Sequence, residues 1–170
     1  MLINQQQRTV LQAGGFPWFI VNKLRDANDV MEALVRKTVN KLNFPNILFV
    51  TGANTNQKEL FFVWLAGMLL QEYPNKYPKY IFTPAMVGRD VGGHNKFLTQ
   101  ADEVSKGRQA TDVLAVIYDS IFSKNLVVIG CLDIDSFYSI YGISFVSSYQ
   151  DIVKVVHVGK DEHKITLEEI

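Results

Sequence analysis

The chain reads as a three-layer α/β domain built on a mainly parallel sheet and closed by a C-terminal β-hairpin. Three observations carry this. Two unbroken apolar runs, Ile47 to Val50 and Leu126 to Cys131, have the length and β-branched content of strands covered on both faces. Helical patterns alternate with the strand-like runs, and that alternation calls for a mainly parallel sheet with right-handed crossovers. Near the end, Ile152 to Val158 and Lys164 to Glu168 flank the polar Gly159 to His163, which has the layout of a hairpin.

Bulk properties narrow the class. At 170 residues the chain fits one domain, 1–170, large enough to bury a core, with no repeat and no interdomain linker. Basic and acidic residues balance at 17 each, which argues against a strongly basic nucleic-acid binder and leaves room only for a local patch. Hydrophobic content of 48% excludes a disordered chain. The single cysteine, Cys131, excludes an internal disulfide and fits a reducing compartment. It sits in an apolar run, as a packed thiol does. The start, Met1 to Arg8, lacks the charged-then-apolar order of a signal peptide, and the longest apolar run, Leu60 to Leu70, is too short to span a bilayer. A cytoplasmic protein without a membrane partner is expected.

Element by element, residues 1–25 read as an irregular segment packing on the domain through Gly14-Gly15-Phe16-Pro17-Trp18. Asp26 to Leu42 is a helix with a stripe of Val30, Leu34, Val35, Val39 and Leu42, capped by Asp26 or Asn28. Phe44-Pro45 ends it and launches the first strand. A helix opening at Lys58 is apolar on nearly all sides through Leu70, so it is expected to be enclosed. Tyr73 to Pro78 stops it, and Lys79 to Thr83 forms a second strand. Gly88 to Lys96, with three glycines plus Arg89, His94 and Lys96, reads as a mobile loop. Thr111 to Phe122 is a helix feeding Leu126 to Cys131.

Between the first strand and its helix lies Thr51-Gly52-Ala53-Asn54-Thr55-Asn56-Gln57-Lys58-Glu59. Strand, glycine turn, then a lysine at a helix start is the layout of a phosphate-binding loop, and the Gly52-to-Lys58 spacing matches that motif. Gly52, Thr55 and Lys58 are the nucleotide-binding candidates. Gln57 replaces the second glycine, which lets backbone approach phosphate closely. Glu59 replaces the hydroxyl residue that helps hold magnesium. A glutamate also suits a helix N-terminus, by about 0.3–1 kcal/mol, so an ordinary strand-to-helix turn explains it as well. Past the strong strand, Asp133 and Asp135 are candidate magnesium ligands at the sheet edge where such folds bind ligands. Capping or turn formation is their plain alternative. His94 makes no metal site with His157 or His163, which lie far along the chain.

Taken with Gly52 and Lys58, the order of elements over roughly residues 28–168 resembles P-loop ATPases of the RecA and AAA+ type, nearest the RecA-like branch with a closing hairpin. The stretch from Asn46 to Leu70 also looks like the opening of bacterial replication initiators and helicase loaders. The resemblance implies ATP and magnesium as cofactors. It also implies an acid directly after an apolar strand. Leu126 to Ile129 is followed instead by Gly130 and Cys131, with Asp133 late; if that strand is the family's later sensor strand, no acidic strand end is left. A non-hydrolysing relative is therefore expected, an accessory or inhibitor that binds an ATPase, helicase or division protein. RecA-fold cell-division inhibitors without a working phosphate loop are its precedent. A nucleotide-binding ATPase of replication or recombination, and a structural component of a larger complex, are the alternatives. Arg89, His94 and Tyr138 are the partner-binding candidates, within the Gly88 to Lys96 loop and the aromatics of Phe16 to Phe19 and Phe137 to Tyr141, through which self-association is also conceivable.

Overall fold

The computed structural model of the chain describes residues 4–25, 29–73, 81–89, 95–104, 108–142, 150–159 and 166–169. The two apolar runs form β1 (Asn46–Thr51) and β4 (Leu126–Cys131), and every residue of both is buried. They lie side by side in parallel, Ile47 opposite Val127 and Phe49 opposite Ile129. β1 pairs on its other side with β5 (Val153–His157), also in parallel. β3 (Lys96–Leu98) joins β4, and β2 (Ile81–Phe82) joins β3, both parallel. β6 (Thr166–Glu169) pairs antiparallel with β5, the pairing expected of the closing hairpin. The order β2-β3-β4-β1-β5-β6 puts the strands of strongest sequence signal in the middle, as their two-sided apolar character requires.

Alternation along the strands divides their side chains between two cores. Leu48, Val50, Val128 and Val156 point into one, with α1 (Gln5–Ala13), α2 (Trp18–Val21), α3 (Asp29–Asn40) and α4 (Thr55–Glu72). Ile47, Phe49, Val127, Ile129 and Val155 point into the other, with α5 (Arg108–Phe122) and α6 (Ile134–Tyr141). Three layers result, helices on either face of a sheet. Within α4 every residue from Leu60 to Leu69 is buried. Each large apolar side chain there contributes about 1.5–3 kcal/mol over leaving it in water. A helix cap contributes about 1 kcal/mol, so packing rather than capping holds α4.

Several local expectations are corrected. Residues 4–25 are not irregular: α1 opens with a reciprocal capping box between Asn4 and Gln7, and α2 runs into a 3-10 turn at Asn22–Arg25. Of α1 only Leu11 is buried, so the polar run Gln5 to Gln7 hides the helical pattern. The segment does pack on the domain, with Phe16 edge-on to Phe97 at 5.3 Å and Gly14 accepting a hydrogen bond from the Ile81 amide. Lys96 is not loop but the first residue of β3; its charge disguises the strand, yet it is fully buried and its Nζ donates to Ser120 Oγ at 3.1 Å. Helix α4 begins at Thr55, not Lys58. Of the second expected strand, Ile81–Phe82 is strand and Thr83 lies past its end, while Lys79 and Tyr80 fall outside the described residues. So are Asp26 and Asn28, the expected caps of α3.

Candidate functional site

The parallel strands end on a common edge. From β1 the chain leaves into α4 on one face; from its neighbour β4 it leaves into α6 on the opposite face. Where neighbouring strands diverge in this way, a crevice opens at their C-terminal ends. Gly52, Thr55, Lys58, Asp133 and Asp135 all fall at this edge, so the topology gathers the sequence candidates for nucleotide and metal.

The turn after β1 is short. Asn54 is the N-cap of α4, its side chain accepting from the Gln57 amide at 3.1 Å. Thr55, Asn56 and Gln57 are therefore the first helical turn, and the Gln57 Oε1 is buried without a hydrogen-bond partner. Gly52 has φ +150°, and its amide donates to the Leu132 carbonyl at 3.0 Å. A Cβ at Gly52 would stand 2.1 Å from the Val158 carbonyl oxygen, so this glycine is required by the chain continuing from β5. Lys58 is only 7% exposed. Its ammonium donates to the Cys131 carbonyl at 3.1 Å, reaching across to the end of β4. Burial pushes the Cys131 thiol up to about 12, with Asp102 adding to the rise and Lys58 opposing it. At neutral pH Cys131 is a neutral packed thiol and no nucleophile.

The turn after β4 is built the same way with opposite charge. Asp133 is the N-cap of α6 and accepts from the Ser136 amide at 2.7 Å. That hydrogen bond holds its carboxyl below the usual range. Asp135 lies in the first turn, where the helix dipole favours it. A third acid, Asp102, accepts from the Leu132 amide at 2.8 Å. Asp102, Asp133 and Asp135 line an open cavity of about 450 Å³ with Ser136, Ser139 and Ile140. No group of three potential ligands close enough to hold a metal ion occurs among the described residues. Sequence reading missed Asp102 because it missed β3: an acid does follow a strand here, four residues past Leu98.

The partner-binding candidates do not converge. Arg89 ends a 3-10 turn, Pro84–Arg89, on the far side of β2 in sequence, and His94 lies outside the described residues. Tyr138 on α6 is half-buried against the second core, its hydroxyl pushed up by burial and by Asp135. The aromatics around it are not exposed: Phe137 packs on Phe49 at 4.9 Å, and the Tyr141 hydroxyl donates to the Ala101 carbonyl at 2.6 Å. Phe16 is buried too, leaving Trp18 and Phe19 as the exposed pair of the N-terminal group. A smaller cavity, about 220 Å³, lies at the ends of β2 and β3 and is lined in part by Gly15 and Pro17.

No family model and no curated protein matches this chain. Among the described residues no helix is long and apolar enough to cross a membrane.

Proposed function

We propose that this chain is a non-hydrolysing relative of RecA and AAA+ ATPases, located in the cytoplasm, that acts by binding a protein of a replication, recombination or cell-division machine. One observation carries the reading. The groups that a phosphate-binding loop turns toward its ligand are here spent on the protein itself. The amide of Gly52 is bonded to Leu132, Thr55 to Gln57 are wound into α4, and the Lys58 ammonium is seated on the Cys131 carbonyl. A cradle of free amides needs those residues outside the helix. Asp133, the magnesium candidate, is engaged as a helix cap. With nucleotide chemistry disfavoured, a binding role is what the resemblance leaves.

The runner-up is an ATPase with a degenerate loop. It is favoured by the buried cation of Lys58 lying near the N-terminus of α4 at the sheet edge that takes ligands. Isothermal calorimetry with magnesium–ATP separates the two. No measurable binding is expected; tight binding that disappears in Lys58→Ala establishes the runner-up.

A further inference from the structure

The smaller cavity is unlike the acidic one, with which it shares no lining residue. It is floored by Ile81 and Phe82 of β2, walled by Gly15 and Pro17 of the N-terminal turn, and bounded by Met86. Gly15, at φ +91°, turns the chain against Ile81 so that Pro17 faces β2. The walls are mainly apolar, with the hydroxyl residues Thr83 and Thr99 at the strand ends. Among the described residues its one charged lining residue is Glu59, in the second turn of α4.

Glu59 is in an unfavourable position for a carboxylate. Burial raises its pKa, and the nearby Lys58 counters only part of that. The Lys58 ammonium is directed to the Cys131 carbonyl instead. Among the described residues no side chain hydrogen-bonds the Glu59 carboxylate. A half-buried anion in an apolar cavity is stabilised by a cation arriving from outside. An anionic occupant is repelled, and an apolar one leaves the carboxylate desolvated and unpaired. Met86 of the lining is 39% exposed, and the two residues that follow the lining residue Pro17, Trp18 and Phe19, are 67% and 49% exposed. Aromatic and methionine side chains beside one desolvated charge are the composition of a protein-binding anchor site.

We propose that this cavity receives an arginine side chain, flanked by apolar residues, from a protein partner. The guanidinium pairs with the Glu59 carboxylate and reaches the hydroxyls of Thr83 and Thr99, for which its forked donors are suited better than a lysine ammonium. The arginine stem lies on Phe82 and Met86, and the flanking apolar residues cover Trp18 and Phe19. The site rests on the proposed protein-binding role only in taking the partner to be a protein.

The test uses the full chain and a blocked pentapeptide, acetyl-Ala-Leu-Arg-Leu-Ala-amide, against the same peptide with citrulline in place of arginine. Trp64 is buried and Trp18 exposed, so a fluorescence change on titration reports Trp18. Amide shifts in an NMR titration locate the site independently. The arginine peptide is expected to bind about tenfold more tightly than the citrulline peptide, as loss of a partly desolvated charge pair implies. Its shifts should centre on Gly15, Glu59, Thr83 and Met86. Glu59→Gln should abolish the discrimination while leaving the thermal midpoint unchanged or raised, and Met86→Glu, at an exposed rim position, should increase it. Equal binding of the two peptides, discrimination that survives Glu59→Gln, or methylguanidinium alone binding as tightly as the peptide each overturns the proposal. A parallel magnesium–ATP titration keeps the two readings apart. ATP binding sinks the proposed function without touching the peptide result, and a failed peptide result leaves the ATP result standing.

Discussion

The turns after β1 and after β4 are neighbours with one design and opposite chemistry. Each leads from a buried central strand into a helix within a few residues, and each helix starts on an Asx side chain that accepts from the amide three residues on: Asn54 from Gln57, Asp133 from Ser136. After β1 the turn is sealed. Gly52 is pressed against the backbone beyond β5, and the lysine that follows is drawn into the protein. After β4 the turn is open, its two acids exposed beside an open cavity. Both sequences invite a ligand reading, phosphate for one and metal for the other. In both, capping uses the same atoms. The difference lies in what each turn leaves over: a buried cation bonded to the Cys131 carbonyl in one case, exposed carboxylates beside an open cavity in the other.

The largest way to break this comparison is at Gly52. Alanine there would place its Cβ 2.1 Å from a backbone oxygen, at a φ of +150° that side chains avoid. Neither strand can move without disturbing the β1–β5 ladder, so a loss of about 3 kcal/mol or more is expected in urea unfolding. Gly130→Ala is the control. Its Cβ would meet the Phe62 ring at 2.9 Å, a side chain able to shift, and about 1–3 kcal/mol is expected. Equal costs at the two sites would show that the turn after β1 is not clamped.

Next comes the lysine. Lys58→Ala removes a buried stem and leaves the Cys131 carbonyl without this donor, at about 1–3 kcal/mol. Lys58→Met keeps the stem and drops the buried charge, and it should restore most of that stability. If methionine is as damaging as alanine, the ammonium itself holds the turns together.

A third experiment asks whether side chains or backbone exclude phosphate. The double variant Gln57→Gly, Glu59→Thr restores the phosphate-loop residues without moving the start of α4. It should lose about 1 kcal/mol from glycine in the first helical turn and gain no ATP binding by calorimetry. ATP binding by this variant would mean that Gln57 and Glu59, rather than the early helix start, had closed the site.

The fold was legible where burial is simple. β1, β4 and α4 are apolar whichever way they are viewed, and no polar pattern competes with that signal. The hairpin pairing of β5 and β6 was legible too, from two short runs around a polar break. β3 was not, because a strand of three residues that begins with a buried lysine carries no periodicity. With β3 went Asp102, one of the three acids of the cavity. α1 was lost behind glutamines although Asn4 and Gln7 spell its cap. At the candidate site the pattern points to a helix opening at Lys58, whereas α4 opens at Thr55. A sequence motif records spacing, and the same spacing fits a loop or a helix turn. Asn54, a strong N-cap residue just before the motif's middle, was the available signal that the helix begins early.

The smallest expected effect sharpens the comparison by charge. Asp133 and Asn54 cap their helices alike, but only Asp133 titrates. Its folded pKa is depressed by the Ser136 hydrogen bonds, so its stabilising contribution is complete above the ordinary aspartate value of roughly 3.9 and is lost as pH falls through the lower, folded value. Asp133→Asn keeps an Asx acceptor at the cap and removes the titration. The variant's thermal midpoint should lie slightly below that of the wild type from about pH 5 to 7, because a neutral cap loses the attraction of the helix dipole. The gap should close as pH falls below the ordinary aspartate range and the wild-type carboxyl protonates. Taking the difference between the two proteins cancels Asp102, Asp135 and the other carboxylates to first order. Added salt should shrink the gap, since the group is exposed. Asn54→Asp is the reciprocal exchange and should give α4 the acid sensitivity of α6, with a stronger cap at neutral pH because Lys58 lies one turn away. A midpoint difference for Asp133→Asn that stays constant as pH falls through and below that range would show that the carboxylate's charge contributes nothing to the cap, and the contrast between the two turns would then be one of space alone.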